Sequence, residues 1–372
     1  MRPRLPFAYL RPTSFVRDDL ALLGERYDVR PFAFGTGTGR LSRAAALAGG
    51  MARLAAWLRH EMPAASAAFG WFADYHTLPL VVAARQRDVP AVVALGGYDA
   101  MDLPELGYGV FGSWRAPLAR RVLRQATVVA PVSGSLVHSA NRFLREPGSE
   151  TQGINRFAPG HAPAAAIPTG YDPDAWPLGP EPRAASVLSV GLIDSDRTFR
   201  RKGLDLLVEV ARRVPEAQFS IVGLQIPEAQ VRARYQPPDN VTLRGPVERE
   251  ALPALYGAAS VYLQLSRAEG MPNVVCEAML CGAIPVGSDV FGIPDAIGDA
   301  GVVVGTPDLD AIAGAVRQAL GASAGRRRRA RDRIATVFPR RRRAQALFGL
   351  LDGLIDGADP AALAASAEHW EA

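Results

Sequence analysis

Short apolar runs alternate along this chain with longer stretches in which apolar residues return every three or four positions. Runs of four to eight apolar residues bounded by Gly, Pro or Asp read as buried strands, and the 3.6-residue period between them reads as helix. The first run, 7–10, leads into a helix over 14–23 that Ser14 would cap, with Asp18 and Asp19 in or just beyond its first turn. The alternation continues through 29–34, a helix over 41–60, then 67–72, 78–87, 91–95, a helix over 115–125, 128–132 and a segment over 133–144. A stretch rich in Gly, Pro and Ala over 147–168 marks a boundary, after which the pattern restarts at 186–190 and runs to a helix over 309–320. Strands alternating with helices imply a parallel sheet covered on both faces, so the expectation is α/β with two doubly wound domains. Ligands of such sheets bind outside the carboxyl ends of the strands, which lets two domains face each other across a cleft.

Residues 266–282 stand out within the second domain. The strand-like 261–265 is followed by turns at Gly270 and Pro272, then by a helix that Gly282 closes. A loop that leaves a buried strand and opens a helix gathers free N–H groups and the positive end of the helix dipole at one point, a favourable seat for a diphosphate. Glu269 lies before this helix and Glu277 about one turn into it. Carboxylates repel phosphate but suit sugar hydroxyls, so a diphosphate joining a nucleoside to a hexose would use all of these groups together.

The run Glu269-Gly-Met-Pro-Asn-Val-Val-Cys-Glu277, with Gly282-Ala-Ile-Pro285 and Gly292-Ile-Pro294-Asp295 after it, resembles the donor-binding segment of glycosyltransferase family 4. The resemblance implies the GT-B fold, two Rossmann-like domains across a cleft. It implies transfer of a hexose, with retention of configuration, from a nucleotide diphosphate sugar, UDP favoured over GDP. The expected divisions are 1–165 for the acceptor, 166–339 for the donor, and a helical segment over 340–372 that returns to the first domain. Glu277 would hydrogen-bond the ribose, Glu269 would face the transferred sugar, and the backbone of Gly270, Met271, Pro272 and Asn273 would line the sugar-phosphate site. Val247 stands where the family's backbone meets the base.

Gly191 opens a loop that ends in Lys202-Gly203, similar to the family's phosphate loop, in which a Lys before Gly and an Arg after the first Gly hold the diphosphate. Leu192 stands in place of that Arg, and the loop is several residues longer than the common form; Arg201 is the expected substitute among Arg197, Arg200 and Arg201. Lys202 is also the only lysine among 42 basic residues, which points to a position needing a compact point charge. On the acceptor side, Gly96-Gly97-Tyr98-Asp99 looks like the family's segment in which a His precedes Gly-x-Asp, with Gly96 replacing the His. Asp99 and His76 remain as catalytic candidates beside Glu269 and Lys202, and Arg11, Ser14 and Gly97 as acceptor-side residues. Front-face attack, with a donor phosphate oxygen taking the acceptor proton, accommodates the missing His.

Three Asp-x-Asp patterns, at Asp172, Asp194 and Asp308, lack the surroundings of a metal site, and no metal or cofactor is expected. Cys276 and Cys281 read as small buried residues. Net charge is +5, carried almost wholly by arginine, without the aromatic interleaving of a nucleic-acid surface. The arginine clusters at 326–329 and 340–343 read as a solvated basic face. No run reaches the roughly 18 apolar residues of a membrane span, so a cytoplasmic protein is expected. The basic amphipathic stretch 41–60 packs its apolar side on the sheet and leaves room for peripheral contact with a membrane. The acceptor is expected to be a carbohydrate, a lipid-linked sugar or a small molecule. The competing readings are an enzyme of the same fold without an acceptor, such as a nucleotide-sugar epimerase, and a non-catalytic sugar-nucleotide-binding subunit.

Overall fold

The structure, a computed structural model, describes residues 2–35, 43–146, 148–180 and 184–367. The first half builds a five-stranded parallel sheet from β1 (Arg4–Tyr9), β2 (Asp28–Ala33), β3 (Ala68–Trp71), β4 (Ala91–Leu95) and β5 (Val128–Pro131), in the order β2-β1-β3-β4-β5. Strands β3, β4 and β5 are buried throughout, the signature of strands covered on both faces. The covering helices are α1 (Ser14–Gly24), α2 (Arg43–Glu61), α3 (Leu78–Arg85) and α4 (Ala116–Gln125). On α2, Leu54 and Leu58 are buried and Trp57 lies 5.2 Å from Phe32 of β2.

Two local expectations change. Thr13, not Ser14, is the N-cap of α1, and no side chain caps it. The segment 133–144 is not a helix: a single turn at Gly134–Leu136 leads to a two-residue hairpin of β6 (Ser139–Ala140) and β7 (Thr151–Gln152), then to α5 (Ile154–Phe157). Asn141, fully buried, turns its amide outward to the other domain, a bond that a helix there would not allow. The Gly-Thr repeat after Gly35 lies outside the described residues.

The second half builds a six-stranded parallel sheet, β10-β9-β8-β11-β12-β13, from β8 (Ser186–Ile193), β9 (Gln218–Leu224), β10 (Val241–Arg244), β11 (Val261–Gln264), β12 (Ile284–Ser288) and β13 (Val302–Val304). Its helices are α6 (Asp196–Arg201), α7 (Leu204–Arg213), α8 (Glu228–Tyr235), α9 (Leu252–Ala258), α10 (Asn273–Leu280), α11 (Ile293–Ile297), α12 (Leu309–Leu320) and α13 (Ala324–Val337). Helix α14 (Arg340–Ile355) packs on α1 of the first domain, and α15 (Pro360–Ser366) follows it.

The arginine clusters at 326–329 and 340–343 are only in part the solvated face expected of them. Arg327 is buried and bonds Ser260 O at 3.1 Å. Arg343 is 5% exposed and forms a two-pronged pair with Asp19 of α1 at 2.7 Å, while its third nitrogen holds Ile167 O and Pro168 O of the connector. Trp71 Nε1 donates to the same carboxylate at 2.9 Å. A fixed five-donor fork can satisfy several buried acceptors at once, which a solvated arginine does not do.

Candidate active site

Strand order reverses once in each sheet, between β1 and β3 in the first and between β8 and β11 in the second. The crevice outside the carboxyl ends at such a point is where doubly wound sheets hold ligands. The sequence places Gly191 near the end of β8 and Lys202 at the end of α6 after it, and sends Glu269 and Glu277 out of β11. Gly203 sits at φ +70°, and a Cβ there would meet Leu265 O at 1.9 Å. This glycine lets the chain after Lys202 press against the exit of β11. Lys202 Nζ consequently reaches Glu269 Oε2 at 2.8 Å, its stem passing beside Gly191. Gln264 Nε2 and Ser266 Oγ donate to the same oxygen, at 3.1 and 3.4 Å. Burial pushes the Glu269 carboxyl up, but Lys202 and Arg201 outweigh it and hold the group below the ordinary glutamate value. An ionised carboxylate and an ammonium thus meet at the switch point.

Helix α10 is held at its start. Asn273 Oδ1 accepts from Tyr171 OH at 2.7 Å and Thr169 Oγ1 at 3.0 Å, both on the connector between the domains. One turn on, Glu277 is 8% exposed and accepts from Tyr256 OH at 3.2 Å. It borders a cavity of about 250 Å³ shared with Ser14 and Asp18 of α1, Thr169, Arg249 and Arg340, and lined by neither Lys202 nor Glu269. Burial pushes the Glu277 carboxyl up to about 7, with Asp18 adding to the rise and Arg249 and Tyr256 opposing it. Val247, after β10, is 37% exposed rather than a core valine. Gly270, Met271 and Pro272 are buried, and the first domain covers Gly270: a Cβ on it would meet Gly96 O at 2.2 Å, and one on Gly97 would meet Gly270 N at 3.1 Å. Asn141 Nδ2 donates across the same seam to Arg267 O at 2.8 Å.

Arg201 is turned toward the other domain and has one donor engaged. Its Nη1 donates to Ala268 O at 3.3 Å, and its guanidinium lies 4.8 Å from the ring centre of Tyr108 in the other domain. The loop expected after Gly191 is instead the end of β8 followed by α6, and Leu192 at its start is 69% exposed.

On the acceptor side two catalytic candidates prove to be buried in the first domain. Asp99 is fully buried; Gly96 N and Gly97 N donate to Oδ1 at 3.1 and 3.0 Å, and Ala73 N to Oδ2 at 2.9 Å. It ties the end of β3 to that of β4, and although burial pushes it up to about 6 against those bonds, it presents no face to a substrate. His76 is 1% exposed, its Nε2 lies 2.8 Å from Trp71 O, and burial pulls it down to about 4, so the ring is neutral. Neither group is placed to take a proton from an acceptor. The side-chain space absent at Gly96 is filled by Phe72, which adopts φ +70° and brings its ring to 2.4 Å from where a Cβ would stand. Ser14 borders the Glu277 cavity, and Arg11 lies exposed just after β1.

Sequence reasoning passed over a polar aromatic group beside these residues. Arg115 pairs with the buried Asp74 at 2.5 Å and lies 5.2 Å from the Tyr98 ring centre and 6.0 Å from that of Tyr75. The exits of β3 and β4 carry Asp74-Tyr75-His76 and Tyr98-Asp99, and that clustering at a switch point was the available signal. Among the described residues no group of three acidic, His or Cys side chains is placed to hold a metal, and no helix is long and apolar enough to cross a membrane.

Residues 185–322 match the family described as Glycosyl transferases group 1, the stretch that contains Lys202, Glu269 and Glu277. Over 239 residues the chain is 28% identical to the D-inositol 3-phosphate glycosyltransferase of Mycolicibacterium smegmatis, covering 62% of this chain and 51% of that one. Over 125 residues it is 29% identical to the phosphatidylinositol N-acetylglucosaminyltransferase gpi3 subunit of Schizosaccharomyces pombe, covering 32% and 27%. The chain thus aligns with about half or less of the length of these curated relatives. Among solved structures it is similar to sucrose-phosphate synthase from Thermosynechococcus elongatus, with a TM-score of 0.72 at 16% identity, covering 96% and 100%. The Anabaena protein HepE in complex with UDP and glucose gives 0.68 at 15% identity, covering 95% and 100%. The two facing parallel sheets are accordingly those of a GT-B fold.

Proposed function

We propose that the chain is a glycosyltransferase that moves a hexose from a nucleotide diphosphate sugar to a hydroxyl acceptor, with retention and without metal. The observation that carries this reading is the Lys202–Glu269 pair at the exits of β8 and β11, beside the start of α10. On donor binding Lys202 exchanges Glu269 for the diphosphate, and the freed carboxylate accepts from a sugar hydroxyl. Glu277 takes the ribose from the cavity on the other side of α10. UDP is favoured over GDP, in keeping with the UDP bound in the Anabaena structure. With Asp99 and His76 both turned inward, the acceptor proton passes to a phosphate oxygen of the donor, the front-face course that needs no protein base. The acceptor lies against Arg115, Tyr75 and Tyr98. The curated relatives named above act on inositol-bearing molecules by their names, and a polyhydroxylated ring suits this aromatic and charged surface. The protein works without crossing a membrane, reaching a lipid-linked acceptor, if it has one, from the surface.

The same inward-turned residues favour one second reading, a subunit that binds sugar nucleotide without turnover. A thermal-shift panel of UDP, GDP, ADP and their sugars tests both. A true ligand at 100 times its Kd adds about 2.7 kcal/mol of stability. No shift from any nucleotide sinks both readings; binding without release of nucleoside diphosphate, given sugar acceptors, leaves only the second.

A further inference from the structure

A short helix, α6, stands between the end of β8 and Lys202. This helix faces the other domain. Arg197 Nη1 donates to Gly107 O at 3.2 Å, and Arg201 lies over the Tyr108 ring at 4.8 Å while also holding Ala268 O, the residue before Glu269. Gly107 and Tyr108 belong to a tight turn of the first domain, closed by Leu103 N to Tyr108 O at 2.7 Å and by Tyr108 N to Leu103 O at 3.2 Å. On its other side the Tyr108 ring meets Tyr98 edge-on, with centres 5.2 Å apart and planes at 80°. Tyr98 is in turn capped by Arg115. The ring is therefore fixed between the domains.

Its hydroxyl is not. No hydrogen-bond partner takes it up among the described residues, although burial raises the phenol pKa, with Glu269 and Asp99 adding and Arg201 opposing, so that it stays a donor at neutral pH. The ring that carries it shares Arg201 with the Ala268–Glu269 loop, and a phenol there together with an ionised carboxylate suits one sugar hydroxyl: the phenol donates to it and the carboxylate accepts from it.

We propose that Tyr108 is the first domain's polar contact to the transferred sugar, and that α6 is the latch that holds it against the Glu269 loop. The proposal rests on the nucleotide-sugar reading above and deepens it. A nucleoside diphosphate without its sugar has no group for this hydroxyl to meet.

The test is calorimetric binding of UDP and of UDP-glucose, or of GDP and GDP-mannose if the panel favours guanine, to wild type and to Tyr108→Phe. The variant keeps the ring and its contacts, so its melting temperature is expected to stay within about 2 °C of wild type. The expected result is an unchanged Kd for the nucleoside diphosphate, within twofold, and about tenfold weaker binding of the sugar nucleotide, the effect of one lost hydrogen bond. Equal weakening of both ligands, or weakening of neither, overturns the assignment while leaving the donor site in place. A wild type that binds none of the four overturns the donor reading and this proposal with it.

Discussion

Glu277 is the group whose titration should be visible in both binding and stability. Burial in the fold holds it at about 7, against roughly 4.3 for an unfolded glutamate. A raised folded value means that the native state favours the protonated carboxyl. The stability this contributes is fully present below about pH 4 and is lost as pH rises through 7. At about 1.36 kcal/mol per unit, ionising Glu277 in the empty fold costs on the order of 3 kcal/mol by pH 8. Binding works in the opposite direction, because a carboxylate accepts ribose hydroxyls and its acid form competes as a donor. About a tenth of the group is ionised one unit below its pKa and about nine tenths one unit above, so the Kd of a sugar nucleotide should tighten about tenfold between pH 6 and pH 8. UDP-glucose is the suitable ligand, since both ends of its diphosphate are esterified and its charge is constant over this range. Glu277→Gln should flatten the binding profile, weaken binding at pH 8, and raise the melting temperature at pH 8 but not at pH 5. At about 2–4 °C per kcal/mol the rise should reach several degrees. Calorimetry at the two pH values and melts at pH 5 and 8 supply the comparison. A wild-type Kd that is the same within twofold at pH 6 and pH 8, or a glutamine variant that keeps the slope, would refute the reasoning.

Lys202→Ala removes the ammonium facing the leaving diphosphate and should cost about 10²–10³ in turnover with the melting temperature little changed; near wild-type kcat/KM would sink its role. Gly270→Ala drives a Cβ to within 2.2 Å of Gly96 O, and because the obstacle is backbone the domains must part. Small-angle scattering should show a larger radius of gyration for that variant, and an unchanged radius would mean that the seam yields locally. Arg343→Met leaves Asp19 buried and unpaired and should lower stability by about 3–5 kcal/mol in urea titration, with Asp19→Asn added in the same chain recovering part of the loss.

Alternating strands and helices were legible because short continuous apolar runs set against a 3.6-residue period are a local signal, and both parallel sheets follow from it. The Lys202–Glu269 pair was legible for a different reason. One lysine in an arginine-rich chain and a Glu before a Pro-started helix are each weak alone, and the sheet order makes them neighbours. What stayed hidden depends on contacts between distant segments. Asp99 has the same sequence surroundings whether it faces solvent or accepts three backbone N–H groups, and only the meeting of the β3 and β4 exits decides between them. Arg201 likewise sits beside Lys202 in sequence, but α6 turns it toward Tyr108, some ninety positions earlier in the chain. In a chain with a single lysine, arginine carries several kinds of work: Arg343 staples the connector, Arg267 pairs with Asp205, and Arg197 and Arg201 grip the opposite domain. Composition therefore says little about which positive charges await a phosphate. The informative question is which of them already has its donors engaged, and by that criterion Lys202, held by a single carboxylate at the switch point, is the cation best placed to exchange its partner for a ligand.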